Sequence, residues 1–454
     1  MREKNRLAWL FEPVPIAPLV YLRIAFGYLV GIDAARYLIH GFATRYYVEP
    51  AFLFKYYGFE WVHPLPGVGI YLHFAALVIL AACVAAGFLY RIAAPLLFLG
   101  FTWVFLLDQA LYLNHFYLIA LIALLLALVP AHRALSVDAR LRPALRSTTA
   151  PAWTIRILQV QLAVVYVYGA IAKLNADWLL EAQPLTMWLA WRADLPILGP
   201  VLALPATAWF FSWAGLLFDL LVVPALLWRR TRIVACVATA SFHLLNAVIF
   251  QIGIFPWMML AATALLFLPG WRLARPERWT APSPQPAPRP SPLVAAALAG
   301  WVLVQLVVPL RHWLYPGDVH WTEEGHRFSW RMKLRQKSAE ATYWAVDRKT
   351  GERWRVPVEE LLGELQLQRH PVRPDMVLQL AHWLAAREEG ARGSPVAIHA
   401  EVRASLNGRP PQLLVDPTVD LAAVPRDLRP AAWILPLGAD APPERDSRPA
   451  IAGE

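Results

Sequence analysis

The chain has 454 residues, 58% of them hydrophobic and 16% charged, with a formal net charge of +10. Ordinary soluble chains are roughly 45–50% apolar and about 25% charged, so a single water-soluble globule is excluded. In the first two-thirds the basic residues sit mainly in short segments between apolar runs, which argues for membrane topology and against a nucleic-acid partner.

The hydrocarbon core of a bilayer is about 30 Å thick, so a spanning helix needs about 20 mostly apolar residues. Taken in chain order, apolar runs fall at 16–40, 68–90, 92–108, 113–130, 152–173, 205–228, 233–251, 254–269 and 293–312. They predict a polytopic α-helical membrane protein of eight or nine spans. The third, fourth and eighth runs are short, which leaves room for one tilted or re-entrant segment. Arg2, Lys4 and Arg6 precede the first run without a small-residue cleavage site, so that run reads as a retained span. The proline-rich stretch 281–292 cannot form helix or sheet and reads as a linker inside a transmembrane domain covering 1–312.

Residues 313–454 have the composition of a small extracytoplasmic α/β domain, β-rich in character. Two strand-like runs flank Arg348-Lys349-Thr350-Gly351, and a second hairpin is predicted at Asn407-Gly408. Short amphipathic helices are expected at 358–368 and 373–390, and a frayed tail from about 438. Cys83 and Cys236 lie in apolar runs and read as small buried hydrophobes. No Cys/His cluster points to a metal.

If odd-numbered runs leave the cytoplasm, the inner segments hold 15 Lys/Arg and the outer loops 3. That asymmetry places the N-terminus inside and the C-terminal domain outside. It also brings Asp108, Asn114, His115, Lys173 and Asp177 to the outer surface, with His243 and Asn246 one or two helical turns deeper.

Ionisable groups inside spans are costly, so each needs a partner or a task. Arg23, Asp33 and Arg36 read as a structural ion pair or as snorkelling ends. Asp219 stands alone in its run and serves as a cap, a pair or a functional group. For His115 beside Asn114, an interfacial anchor and a functional role weigh equally. Lys173 follows VVYVYGAIA and precedes LNADW. Either it snorkels, or, partly removed from water, it presents a free amine as a base.

The segments carrying these residues resemble those of the vitamin K-dependent γ-glutamyl carboxylases. VYVYGAIAKLNADW (165–178) is similar to the segment around that family's catalytic lysine, and LLDQALYLNHFYL (106–118) to its Asn-His segment. FHLLNAVIFQIGIF (242–255) resembles its Phe-His-x-x-Asn…Ile-Gly-x-Phe span. WTEEGHRFSWRMKL (321–334) resembles the opening of its lumenal domain, with Ser329-Trp330 matching a Ser-Trp pair. The resemblance runs in order from about 16 to beyond 355. It includes a transmembrane domain of the HTTM type, and the composition and short tail suggest a bacterial relative in the cytoplasmic membrane.

The resemblance implies a reduced vitamin K or menaquinol-type hydroquinone, with O2 and CO2 as co-substrates. A lysine amine deprotonates the quinol, oxidation yields an epoxide and a strong base, and that base removes a glutamate γ-proton so that CO2 can add. The need for such a base stands independently, because a carbon acid beside a carboxylate is too weak for any side chain to deprotonate near neutral pH. Carried over residue by residue, Lys173 matches the initiating base, and Asn114 and His115 match residues at the quinone oxygens. His243, Asn246, Asp108 and Trp330 fall to the quinol pocket. Asp177 and Trp178 match the family's Asp-Trp and read as local structure. Ser329, Arg335 and Lys337 fall to the carboxylate of a Glu-containing peptide or protein. Where the animal enzymes carry His-x-Arg, this chain has Arg335-Gln336-Lys337, and lysine lacks arginine's bidentate fork. The quinol half is therefore the better supported. Two alternatives stand beside it: a quinol epoxidase acting on another or no protein substrate, and a non-catalytic quinone-binding or transport protein in the lipid bilayer.

Overall fold

The computed structural model describes residues 7–250, 253–267 and 290–438. The linker expected at 281–292 lies outside them up to residue 289, as does the tail beyond 438. The chain divides into two compact units: Met1–Leu310 with Phe328–Met332, and Arg311–Arg327 with Lys333–Glu454. The short segment containing Ser329 and Trp330 thus belongs to the first unit.

The first unit is helical. Its long elements are α1 (Ala17–Ile39), α2 (Gly69–Ala86), α3 (Tyr90–Leu107), α4 (Asn114–Leu128) and α5 (Ala152–Ala172). The short α6 (Ala176–Glu181) follows, then α7 (Pro205–Leu227), α8 (Arg232–Phe250), α9 (Phe255–Phe267) and α10 (Pro292–Val307). Seven of these are long and apolar enough to cross a membrane, α10 doing so with its 3-10 continuation to Leu314. The 23 residues of α1 rise about 34 Å at 1.5 Å each, enough for the hydrocarbon core. The shorter apolar helices α4 and α9 complete the match to the nine apolar runs. The protein is thus a polytopic helical membrane protein with a small sheet-containing C-terminal region.

The core of this unit runs along α1, where Leu19, Leu22, Phe26 and Val30 are each at most 1% exposed, against Phe74, Leu77 and Ala81 of α2. Tyr37 stacks on Phe74 at 4.7 Å, where the offset contact adds about 0.5–1.5 kcal/mol to area burial. One feature runs against the sequence pattern. Pro13–Pro15 (β1) pairs antiparallel with Thr149–Pro151 (β2). A Pro-Val-Pro run reads as non-strand because proline donates no ladder bond, and a two-strand ribbon escapes that limit since its outer edges need no partner strand.

The second unit carries an antiparallel sheet in the order β4-β3-β5-β6: β3 (Lys337–Asp347), β4 (Arg353–Val356), β5 (Val396–Leu406) and β6 (Gln412–Leu413). Both hairpins fall where turn chemistry places them. β3 pairs β4 across the Arg-Lys-Thr-Gly turn, and Asn407 and Gly408 take φ of 52° and 80° between β5 and β6. Alternate residues Tyr343, Ala345, Ile398, Ala400 and Val402 are fully buried. Helix α11 (Pro374–Arg392) buries Met376, Val377, Leu380 and Leu384, spaced to form one apolar stripe, and packs against β5. Truncating Leu380 to alanine would cost about 2–5 kcal/mol.

Candidate functional site

Helix α5 ends at Lys173, whose backbone still has helical dihedrals, so its side chain turns back along the last turn. Nζ donates to Oδ2 of Asp219 at 2.5 Å and to the carbonyl of Gly169 at 3.2 Å. Both residues are buried, at 8% and 6% exposure. The geometry needs a glycine at 169, since a Cβ there would stand 2.8 Å from Asp219 Oδ2. The Trp178 ring lies over the amine, 5.5 Å from Nζ. Asn175 fixes that ring's helix by accepting from the Trp178 amide, and Ser212 of α7 completes a reciprocal pair: Trp178 Nε1 donates to its carbonyl, and its hydroxyl donates to the Trp178 carbonyl. A buried carboxylate 2.5 Å from a buried amine lets the pair move one proton between N and O without water. Asp219 is thus the partner of Lys173 and not a solitary charge. The sequence held the signal, because a lone intramembrane lysine and a lone intramembrane aspartate each demand a counter-charge.

Two histidines from separate helices meet across one phenylalanine. His115 of α4 lies 5.8 Å from the Phe255 ring, and His243 of α8 lies 6.1 Å from the same ring. His243 is 1% exposed, with Nε2 3.0 Å from the Tyr166 hydroxyl, itself 3.2 Å from Thr263 Oγ1. Nδ1 of His243 has no protein partner among the described residues. Tyr166 and Lys173 belong to the same helix, so α5 carries both groups. Asn246 lies three residues past His243 on the same face of α8 and is half-buried.

The Phe328–Met332 segment is tied to the start of α4. The Phe328 amide donates to the Tyr112 hydroxyl at 2.7 Å, that hydroxyl donates to Asn114 Oδ1 at 2.9 Å, and Asn114 Nδ2 donates to the Arg331 carbonyl at 3.2 Å. Phe328 and Trp330 both have positive φ, 63° and 57°, a strained state for bulky side chains that the tether and packing maintain. Trp330 is fully buried and stacks on Tyr117 at 5.0 Å, yet its Nε1 has no protein partner among the described residues. Ser329 is buried beside it at 2% exposure. Asp108, 1% exposed, spends Oδ1 on the Ala110 amide at 2.7 Å and so caps the 3-10 turn leading to Asn114.

Arg335 and Lys337 belong to the second unit. Arg335 Nε and Nη2 each bond a Glu323 carboxylate oxygen at 2.5 Å. Lys337 Nζ donates to the carbonyls of Trp321 at 2.5 Å and Val372 at 2.8 Å. Burial pushes the Lys337 ammonium down to about 7, with Glu323 opposing. The expectation that these two cations wait for a substrate carboxylate meets a physical obstacle, because each already holds protein acceptors.

Buried polar atoms are almost always hydrogen-bonded, so unpartnered N–H groups mark places where a ligand can complete the shell. Trp330 Nε1 is such a group in the first unit, and His243 Nδ1 is an unpartnered ring nitrogen there that donates or accepts according to its tautomer. A hydroquinone offers two hydroxyl oxygens and an aromatic ring, which suit these nitrogens and the surrounding Phe and Tyr rings.

Residues 11–271 match the HTTM domain, and residues 290–440 match the vitamin K-dependent gamma-carboxylase, lumenal domain. No solved structure matches the chain. With both halves matched, and more than half of its length covered by the HTTM domain alone, the chain belongs to the vitamin K-dependent gamma-carboxylase family.

Proposed function

We propose that this carboxylase-like membrane protein oxidises a vitamin K or menaquinol-type hydroquinone with O2 to its epoxide, and couples that oxidation to carboxylation of glutamate with CO2. The observation that carries the reading is the buried pair of Lys173 and Asp219 of α7, with Lys173 ending the helix that also presents Tyr166 to His243. Lys173 takes the quinol proton, and Asp219 positions the amine and receives or returns a proton. His115, Asn114, His243, Asn246 and Trp330 orient the ring, while Asp108 sets the turn that delivers Asn114. When bound, the quinol supplies the oxidisable ring whose reaction with O2 yields a base stronger than any side chain. The burial of Lys173, Asp219 and His243 keeps water from quenching that base. The loop-charge asymmetry supports a cytoplasmic N-terminus and an external second unit.

A second reading, epoxidation without glutamate carboxylation, is favoured by one observation. To receive a substrate carboxylate, Arg335 must exchange its bidentate Glu323 for it, and Lys337 must leave two carbonyls. Purified protein in nanodiscs, given candidate quinols, O2, CO2 and a glutamate peptide, separates the readings. Quinol epoxide together with a peptide heavier by one CO2 supports the coupled reaction. Epoxide without mass gain supports the second, and no epoxide with any quinol overturns both.

A further inference from the structure

A cluster of cations in the first unit plays no part in the proposed reaction. Arg23 of α1 is fully buried. Its Nη2 donates to the Leu135 carbonyl at 2.6 Å, while Nε and Nη1 are buried with no protein partner among the described residues. The guanidinium lies against Gly87, which ends α2 at φ +64°. A Cβ there would stand 1.7 Å from Nη1, so only glycine admits the arginine. His132, 4% exposed, stacks on Tyr90 at 5.0 Å and leaves Nδ1 unpartnered among the same residues. Around His132 the charges are Arg91, Arg133 and Arg23 against the single carboxylate of Asp138. Both Asp138 oxygens are already spent, on the amides of Leu89 and Tyr90 at the start of α3.

A plain structural role, Arg23 latching the 130–138 loop, accounts for the Leu135 bond. It leaves two donor faces of a buried guanidinium without a hydrogen-bond acceptor, and the one nearby carboxylate, Asp138, already spends both oxygens on backbone amides. Loop charges that merely set topology stay in water, as the exposed Arg229 and Arg230 do, so they do not explain a fully buried arginine. The planar fork of N–H donors matches the oxygens of a phosphate. We propose that this end of the bundle binds a phosphate-class anion. Arg23 Nε and Nη1 donate to it, and His132, Arg91 and Arg133 flank it. The anion comes from an anionic phospholipid headgroup or from free phosphate, and one experiment distinguishes the two.

Thermal unfolding of the full chain is measured in nanodiscs of phosphatidylcholine, of phosphatidylcholine with phosphatidylglycerol, and of phosphatidylcholine with inorganic phosphate in the buffer. A Tm that rises with phosphatidylglycerol assigns the lipid, and one that rises equally with phosphate assigns the free ion. The Arg91→Gln/Arg133→Gln double variant should need about tenfold more probe for the same rise, one charge-assisted contact being worth that much. Arg23→Gln should abolish the rise, and if that variant does not fold, the double variant decides. An Arg229→Gln/Arg230→Gln control should respond like the wild type. The proposal is overturned if neither probe raises Tm, or if the two double variants respond alike.

Discussion

Lys173 and Asp219 stand 46 residues apart in sequence, yet Nζ and Oδ2 are 2.5 Å apart inside the helical unit, closer than an ordinary N–H···O bond. The carboxylate fixes the amine's direction and gives its proton a destination. Asp219→Asn keeps the shape and a weaker acceptor but removes the charge. We expect quinol epoxidation to fall by about 10²–10⁴-fold, the usual contribution of a positioned acid–base group, with helical content unchanged by circular dichroism. A variant within threefold of wild type would show that the pair is structural.

Gly169→Ala tests the same pair from the opposite wall. The added methyl, built 2.8 Å from Asp219 Oδ2, must push the carboxylate aside by several tenths of an ångström. The helix itself tolerates alanine better than glycine. Stability should therefore hold or rise while turnover falls by up to about 10²-fold, as for small misplacements of a catalytic group. Parallel Tm and initial-rate measurements check both halves.

Tyr112→Phe removes one hydroxyl that serves two partners, the Phe328 amide and Asn114 Oδ1. Removing the acceptor of a part-buried donor costs about 1 kcal/mol. The effect should be local: hydrogen exchange at Phe328–Met332 should speed up while exchange in α1 and α2 stays slow.

Glu323→Gln leaves Arg335 as an uncompensated part-buried cation, since the pair is 15% and 3% exposed at the side chains. Chemical unfolding of the second unit should show a loss of about 3–5 kcal/mol. If Arg335 instead served mainly as a waiting receptor for a substrate carboxylate, the variant would bind glutamate peptide more tightly at little structural cost.

Lys337 makes stability depend on pH in a definite direction. Its folded value, about 7, lies below its unfolded one near 10.5. Between the two, the unfolded chain holds a proton that the folded chain has released, so this group's contribution rises with pH across that window and is flat below it. The Tm difference between wild type and Lys337→Met should therefore shift in favour of wild type from pH 7 to pH 10. A constant difference would show that Lys337 stays charged when folded.

How much of this was legible in the sequence follows from what periodicity encodes. The nine apolar runs became α1 to α5 and α7 to α10 within a few residues because bilayer thickness and backbone hydrogen bonding leave a helix almost no alternative. Asn407-Gly408 became a hairpin because both residues tolerate positive φ. The pairing of Lys173 with Asp219, and of His115 with His243 across Phe255, depends on how helices rotate against one another, and no local pattern records that. The engagement of Arg335 by Glu323 was hidden for a related reason: a cation in a resembling motif looks available until its neighbours are known.

The most direct test of the account is quinol epoxide formation by Lys173→Ala in nanodiscs, measured beside the wild type under O2. The account predicts epoxide from the wild type and none above background from the variant, with exogenous small amines restoring part of the rate. Epoxide formation by Lys173→Ala at the wild-type rate would contradict it.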